Sequence, residues 1–268
     1  MAEGDQHRPD VSRAVSGGAD DRGRHSRDAE DPPISRRASR RPVIPEIEFV
    51  EGRTVRLIPT AYIDEPAVRP LADDEDEEAI LNELEGLTSA RLSSAALPVG
   101  VDPAELLNES YGYGWTFINA AFCHAKPPGN RFNDEDRGCW YAAFGERDAE
   151  TAEAEVTFHM ADALREAGAS QELVSYGQFL AGFSCRFHDL RGEAGHASLD
   201  PDRAIGYPAG QALARSIRAL GGNGVLYPSV RFAGGMCLAA FRPSVIQNVR
   251  RADQVSFEWD GVRMTKIP

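Results

Sequence analysis

Cysteine is scarce in this chain, with only Cys123, Cys139, Cys185 and Cys237 among 268 residues. They are widely spaced in a chain long enough to bury a core, which predicts free thiols rather than a disulfide framework. No pair has zinc-knuckle spacing, and His124 beside Cys123 reads as an ordinary histidine next to a partly buried thiol, so no metal is expected. Long apolar runs are also missing. Nothing approaches the roughly eighteen consecutive apolar residues of a membrane span, although 42% of the residues are hydrophobic. The opening MAEGDQHRPDVSRAVSGGADDRG has no apolar stretch behind its charges, so it does not read as a secretory signal, and the cytoplasm is the expected compartment. Positive charge is in deficit: 29 Lys and Arg against 42 Asp and Glu give a formal net charge of −13. Such a surface repels phosphate backbones and argues against direct nucleic-acid binding. An anionic small molecule would need locally placed arginines. Generic catalytic signatures are absent too: no Walker loop, no serine nucleophile elbow and no dinucleotide fingerprint. Tyr111-Gly112-Tyr113-Gly114 offers two glycines without the downstream pattern.

What is present divides the chain. Residues 1–42 mix Arg, Asp, Gly, Ser and Pro without periodic apolar positions, so a disordered tail is expected, followed by a folded domain over residues 43–268. The basic stretch Ser35–Arg41 reads as solvated charge. Ile47–Val50 and Thr54–Ile58 flank Glu51-Gly52-Arg53, as in a short hairpin or two consecutive strands. Arg56 alternates to the face opposite Val55 and Leu57, where solvent and a binding role are equally open. An acidic helical insertion is expected near residues 65–125: Asp73–Glu78 precede Ile80, Leu81, Leu84 and Leu87 at helical spacing. Asp102-Pro103 is a plausible helix start, and Tyr111, Tyr113, Trp115, Phe117 and Phe122 read as core or pocket wall.

Beyond Pro127 the pattern becomes loop, strand, loop, strand, with Arg131-Phe132-Asn133 and Trp140–Phe144 as the two strands. Ala149–Ala167 carries Val156, Met160 and Ala163 at helical spacing. Tyr176–Phe187 reads as a buried strand, Tyr207–Leu220 as a helix ended by Gly221-Gly222-Asn223-Gly224, and Val225–Tyr227 and Met236–Phe241 as strands with a bend at Gly234-Gly235. Asp260-Gly261 is a strong hairpin-turn signal. The whole predicts an α+β fold with mixed sheets and flanking helices.

Four segments carry chemistry in a recognisable order: Gly129-Asn130-Arg131-Phe132-Asn133, Trp140-Tyr141-Ala142-Ala143-Phe144, Glu150–Val156, and Gly224-Val225-Leu226-Tyr227-Pro228-Ser229-Val230-Arg231. In order and character they resemble the RES domain, named for its Arg, Glu and Ser, over roughly Val43 to Val245. The resemblance implies an ADP-ribosyltransferase-like fold and degradation of NAD at the nicotinamide–ribose bond, by a phosphorylase or a glycohydrolase. It also implies a toxin of a toxin–antitoxin pair, held inactive by a partner antitoxin of the Xre type. Carried over residue by residue, Arg131 matches the family arginine, Tyr141 its strand tyrosine, Glu155 its helix glutamate and Ser229 its serine, with Arg56 as a second arginine. The implied catalytic set is Glu155, Arg131 and Ser229, and the implied substrate-binding set is Arg56 and Tyr141. No cofactor is implied beyond NAD as substrate and inorganic phosphate as co-substrate.

The residue types suit that chemistry. A guanidinium binds a diphosphate through paired charge-assisted hydrogen bonds, as expected of Arg131 and Arg56. A carboxylate such as Glu155 stabilises the positive ribose left when nicotinamide departs. Ser229 would orient the carboxylate or the substrate, and Tyr141 would pack against a ring or hydrogen-bond. Periodicity alone does not separate Glu155 from Glu153, which shares its helix. Two other functions stay open, ADP-ribosyl transfer to a protein and a catalytically degenerate interaction module, as do monomer and homodimer.

Overall fold

Alternating apolar residues build the two longest strands, β1 (Glu46–Pro59) and β3 (Glu172–Asp189). β1 buries Phe49, Val55 and Leu57, and β3 buries Tyr176, Phe179, Ala181, Phe183 and Phe187. The two pair antiparallel from Glu46 opposite His188 to Pro59 opposite Tyr176. In this computed structural model the described residues are 44–63 and 97–268, all within one compact unit, Pro42–Pro268. The expected disordered tail and the acidic helix around Ile80–Leu87 lie outside the described residues.

Between the long strands come α1 (Trp115–Cys123), β2 (Trp140–Phe144) and α2 (Asp148–Glu166). After them follow α3 (Arg203–Ala219), β4 (Gly224–Pro228), β5 (Met236–Ala240), β6 (Gln247–Trp259) and β7 (Met264–Ile267). The strands form one seven-stranded sheet in the order β1-β2-β5-β4-β3-β6-β7. Because β1 also pairs with β3, the first five strands of that order close into a ring. β3 and β4 run parallel, and the other pairs are antiparallel. The α+β architecture with a mixed sheet and flanking helices is as expected.

Three local expectations change. Glu51-Gly52-Arg53 is neither a hairpin nor a junction between strands but a bulge inside β1, with the register shifting between Glu51 and Thr54. An inserted residue resets a period of two. Phe49 therefore packs into the cluster containing Trp140 and Phe144, whereas Val55 and Leu57 pack on the other side with Ala143 and Ala152. Arg56 is turned over the Trp140 ring, 4.9 Å from its centroid. Arg131-Phe132-Asn133, expected as a strand, is a tight loop closed by an isolated bridge between Asn130 and Asn133. Asp102-Pro103 opens only a three-residue 3-10 turn, Pro103–Glu105. The Asp260-Gly261 turn between β6 and β7 is as expected, with Gly261 at a φ of 89°.

The helices around the sheet are locally well specified. Asp148 and Glu150 occupy the first turn of α2 and Arg165 its last, each charge opposing the nearby end of the helix dipole. Asp202 caps α3 by accepting from the Ala204 amide at 2.9 Å. Among the described residues no helix is long and apolar enough to cross a membrane. All four cysteines are free thiols.

Candidate active site

One stripe of α2 faces an open cavity of about 830 Å³, mouth included. Ala152, Glu155, Val156 and His159 form that stripe, at the spacing that places side chains on one helix face. Glu155 Oε1 accepts a hydrogen bond from Ser229 Oγ at 2.6 Å. The direction of that bond follows from the other partners of the hydroxyl. Ser229 Oγ accepts from the backbone amides of Arg231 at 3.1 Å and Phe232 at 3.0 Å, so its lone pairs are engaged and its one proton points at the carboxylate. The turn carrying Ser229 is held by its own amide donating to the Gly235 carbonyl at 2.8 Å. Gly235 in turn lies so close to α2 that a Cβ there would sit 2.4 Å from Thr151 Oγ1.

Glu153 stands about 200° around the same helix, because each residue advances the side chain by about 100°. It pairs instead with Lys266 of β7, Nζ to Oε1 2.6 Å, and does not line the cavity. Cys237 Sγ lies 3.8 Å from Glu155 Oε1. Burial and then the Glu155 charge push its thiol well above the ordinary range, so it meets Glu155 as a neutral thiol.

Arg131 and Arg56 both line the cavity. Arg131 is seated more deeply than a partly exposed substrate-gripping arginine should be: it is 6% exposed. Its Nη1 donates to the Ser198 carbonyl and, at 2.9 Å, to the Asp200 carbonyl. Gly206 and Gly210 of α3 clear its seat, since a Cβ on Gly206 would lie 2.6 Å from Arg131 Nη1 and one on Gly210 would lie 2.1 Å from the Arg131 carbonyl. Arg56 is half-buried. Its Nη1 donates to the Tyr141 carbonyl at 3.1 Å, while its buried Nε has no partner among the described residues. Desolvation lowers its proton affinity, but a guanidinium remains charged.

Tyr141 lines the cavity, yet its hydroxyl belongs to the Arg131 loop. It accepts from the Phe132 amide at 2.8 Å and donates to Asn133 Oδ1 at 3.0 Å. Its role is to hold that loop while presenting its ring to the pocket. Burial holds the phenol well above its ordinary pKa, so it is neutral.

The structure therefore brings Arg56, Arg131, Tyr141 and Glu155 to one cavity, with Ser229 directly behind the carboxylate. It adds residues that the sequence reading did not assign: His159, Tyr207, Tyr227, Arg231 and Cys237. Two carried a signal. Arg231 stands two residues beyond Ser229, and His159 one helical turn beyond Glu155. Arg231 stacks on Phe158 at 3.6 Å and donates from Nη1 to the Pro201 carbonyl at 3.2 Å, and its buried Nη2 has no partner among the described residues. Burial, followed by the charges of Arg231 and Arg203, lowers the His159 pKa to about 4, so this imidazole is neutral near pH 7. The Glu155 end of the cavity thus combines one hydrogen-bonded carboxylate, two guanidinium groups and a neutral histidine. Such a set can bind an anionic ligand and stabilise a cation forming beside the carboxylate. Among the described residues no group of three or more His, Cys, Asp or Glu is placed to hold a metal ion.

A family model described as RES domain matches residues 107–260. Among solved structures, a chain in the crystal structure of the M. tuberculosis MbcT–MbcA toxin–antitoxin complex is similar at 17% identity and a TM-score of 0.37. The similarity covers 79% of this chain and 86% of the other, and it is too distant to transfer a function. No curated protein matches.

Proposed function

The chain belongs to the RES domain family, and from that premise we propose that it cleaves the nicotinamide–ribose bond of NAD, with phosphate or water as acceptor. The observation that carries the reading is the 2.6 Å bond from Ser229 to Glu155 on the wall of a cavity also lined by Arg56 and Arg131. Nicotinamide leaves with the bonding electron pair, which neutralises its pyridinium ring, and positive charge develops on the ribose. The Glu155 carboxylate stabilises that charge and accepts a hydrogen bond from a ribose hydroxyl. Ser229 fixes the carboxylate through the hydrogen bond that it donates to Oε1. Arg56 holds the diphosphate, and Arg131 and Arg231 supply positive potential near Glu155 for the anionic substrate or for phosphate. An oxygen of phosphate or water then bonds to the ribose carbon, with water losing its proton.

As part of the same reading, the protein acts as the toxin of a pair and is held inactive by an antitoxin of the Xre type. The test is incubation of the purified protein with NAD, with and without phosphate, and product identification by mass. Free nicotinamide should appear together with ADP-ribose, or with its phosphate ester when phosphate is present. Intact NAD under both conditions would sink the proposal.

A further inference from the structure

A second cavity, about 1720 Å³ with its mouth, adjoins the first and shares Arg56, Leu57, Asn130 and Tyr141 with it. Its far wall comes from α1 and the loop beyond, through Phe117, Ala121 and Lys126. At its rim stands Tyr62, 67% exposed on the short 3-10 turn Thr60–Tyr62. A large aromatic ring left in solvent beside a cavity forgoes burial free energy of a kind that folded chains usually collect. The two chambers differ in chemistry. The first holds the carboxylate, and the second, lined by Phe117, Tyr62 and Lys126, holds none among the described residues. Between them lies Arg56, a charged group whose buried Nε has no partner among the described residues.

A dinucleotide has the same plan: two nucleosides joined by a diphosphate. We infer that the second chamber takes the adenosine half of the substrate, with adenine stacked on Tyr62, the diphosphate bridged at Arg56 and the nicotinamide riboside delivered to Glu155. Stacking suits this place because every base has a π face, so an exposed ring can bind it without hydrogen-bond complementarity. The second chamber then makes the protein selective for a dinucleotide over a mononucleotide. This inference rests on the NAD reading above.

Tyr62 is the position to change, because its exposure on a three-residue turn means the fold depends on it little. Base–aromatic stacking predicts that Tyr62→Ala raises KM for NAD roughly tenfold and weakens AMP binding by a similar factor. Turnover at saturating NAD should stay within about twofold, and cleavage of nicotinamide mononucleotide, which lacks the adenosine, should not change. Tyr62→Trp should restore the NAD KM. Equal losses on the mononucleotide and on NAD would overturn the inference, as would unchanged AMP affinity in Tyr62→Ala or no AMP binding by the wild-type protein. The calorimetric AMP titration needs no catalysis. If neither NAD nor the mononucleotide is cleaved while AMP binds in a Tyr62-dependent way, the cleavage reading fails and the chamber assignment stands.

Discussion

Ser229 and Glu155 stand 74 residues apart in sequence and are joined by a 2.6 Å hydrogen bond in which the hydroxyl donates to the carboxylate. Two backbone amides occupy the serine lone pairs, so the hydroxyl acts as a fixed donor to the carboxylate. Ser229 thereby fixes the position of the Glu155 carboxylate, and the two glutamates of α2 differ in their partners, Ser229 for Glu155 and Lys266 for Glu153.

Glu155→Gln should retain the shape of the site and much of the NAD binding but lose turnover by roughly a hundredfold or more, since the stabilised charge exists only as nicotinamide leaves. Glu153→Gln, which removes only the pairing with Lys266, should leave turnover within about twofold. Steady-state kinetics of both variants decides the matter. Small and equal effects would remove Glu155 from catalysis.

Ser229→Ala should lower kcat about tenfold or more while KM moves little. Combined with Glu155→Gln it should add almost nothing further, because the two residues act as one unit. It should also cost about 1–2 kcal/mol of stability, as the amides of Arg231 and Phe232 lose their acceptor. A double variant whose losses multiply would show that the serine acts independently of the carboxylate.

Arg131 should prove a structural residue as well as a ligand contact. Its Nη1 serves two carbonyls, and two glycines of α3 are shaped around it. Arg131→Ala should therefore destabilise the fold by about 2 kcal/mol or more, through the unsatisfied carbonyls and the void left behind. Lysine should rescue it poorly, because an ammonium does not reproduce the planar fork. Urea midpoints report this, and a wild-type midpoint for the alanine variant would show that the seat is dispensable.

His159 sets a pH dependence whose sign is determined by burial. Its folded pKa is lowered from 6.5 to about 4, so between those values the unfolded chain binds the proton more readily than the folded one. Stability should fall as pH drops from about 6.5 towards 4, and this contribution is absent above that window. His159→Gln should reduce the slope of stability against pH there by at most about one proton. Identical slopes in the two proteins would contradict the depressed pKa.

Much of this molecule is written in local pattern. The helical spacing across Ala149–Ala167 marks α2, observed at Asp148–Glu166, within a residue at each end. The Asp260-Gly261 turn and the apolar run from Tyr176 to Phe187 are equally direct, because turn chemistry and side-chain alternation act between near neighbours. The order of Arg131, Tyr141, Glu155 and Ser229 could be matched to a family motif for the same reason.

Tertiary structure decided what depends on distant partners. Only the pairing of β1 with β3 shows that Glu51–Arg53 is a bulge and that Arg56 turns over Trp140. Only the placement of β7 gives Glu153 its lysine, and only the turn at Ser229 gives Glu155 its donor. The depth of the Arg131 seat depends on glycines 75 and 79 residues further along the chain. Burial, hydrogen-bond direction and pKa are properties of an environment assembled from remote segments, so no window of sequence contains them.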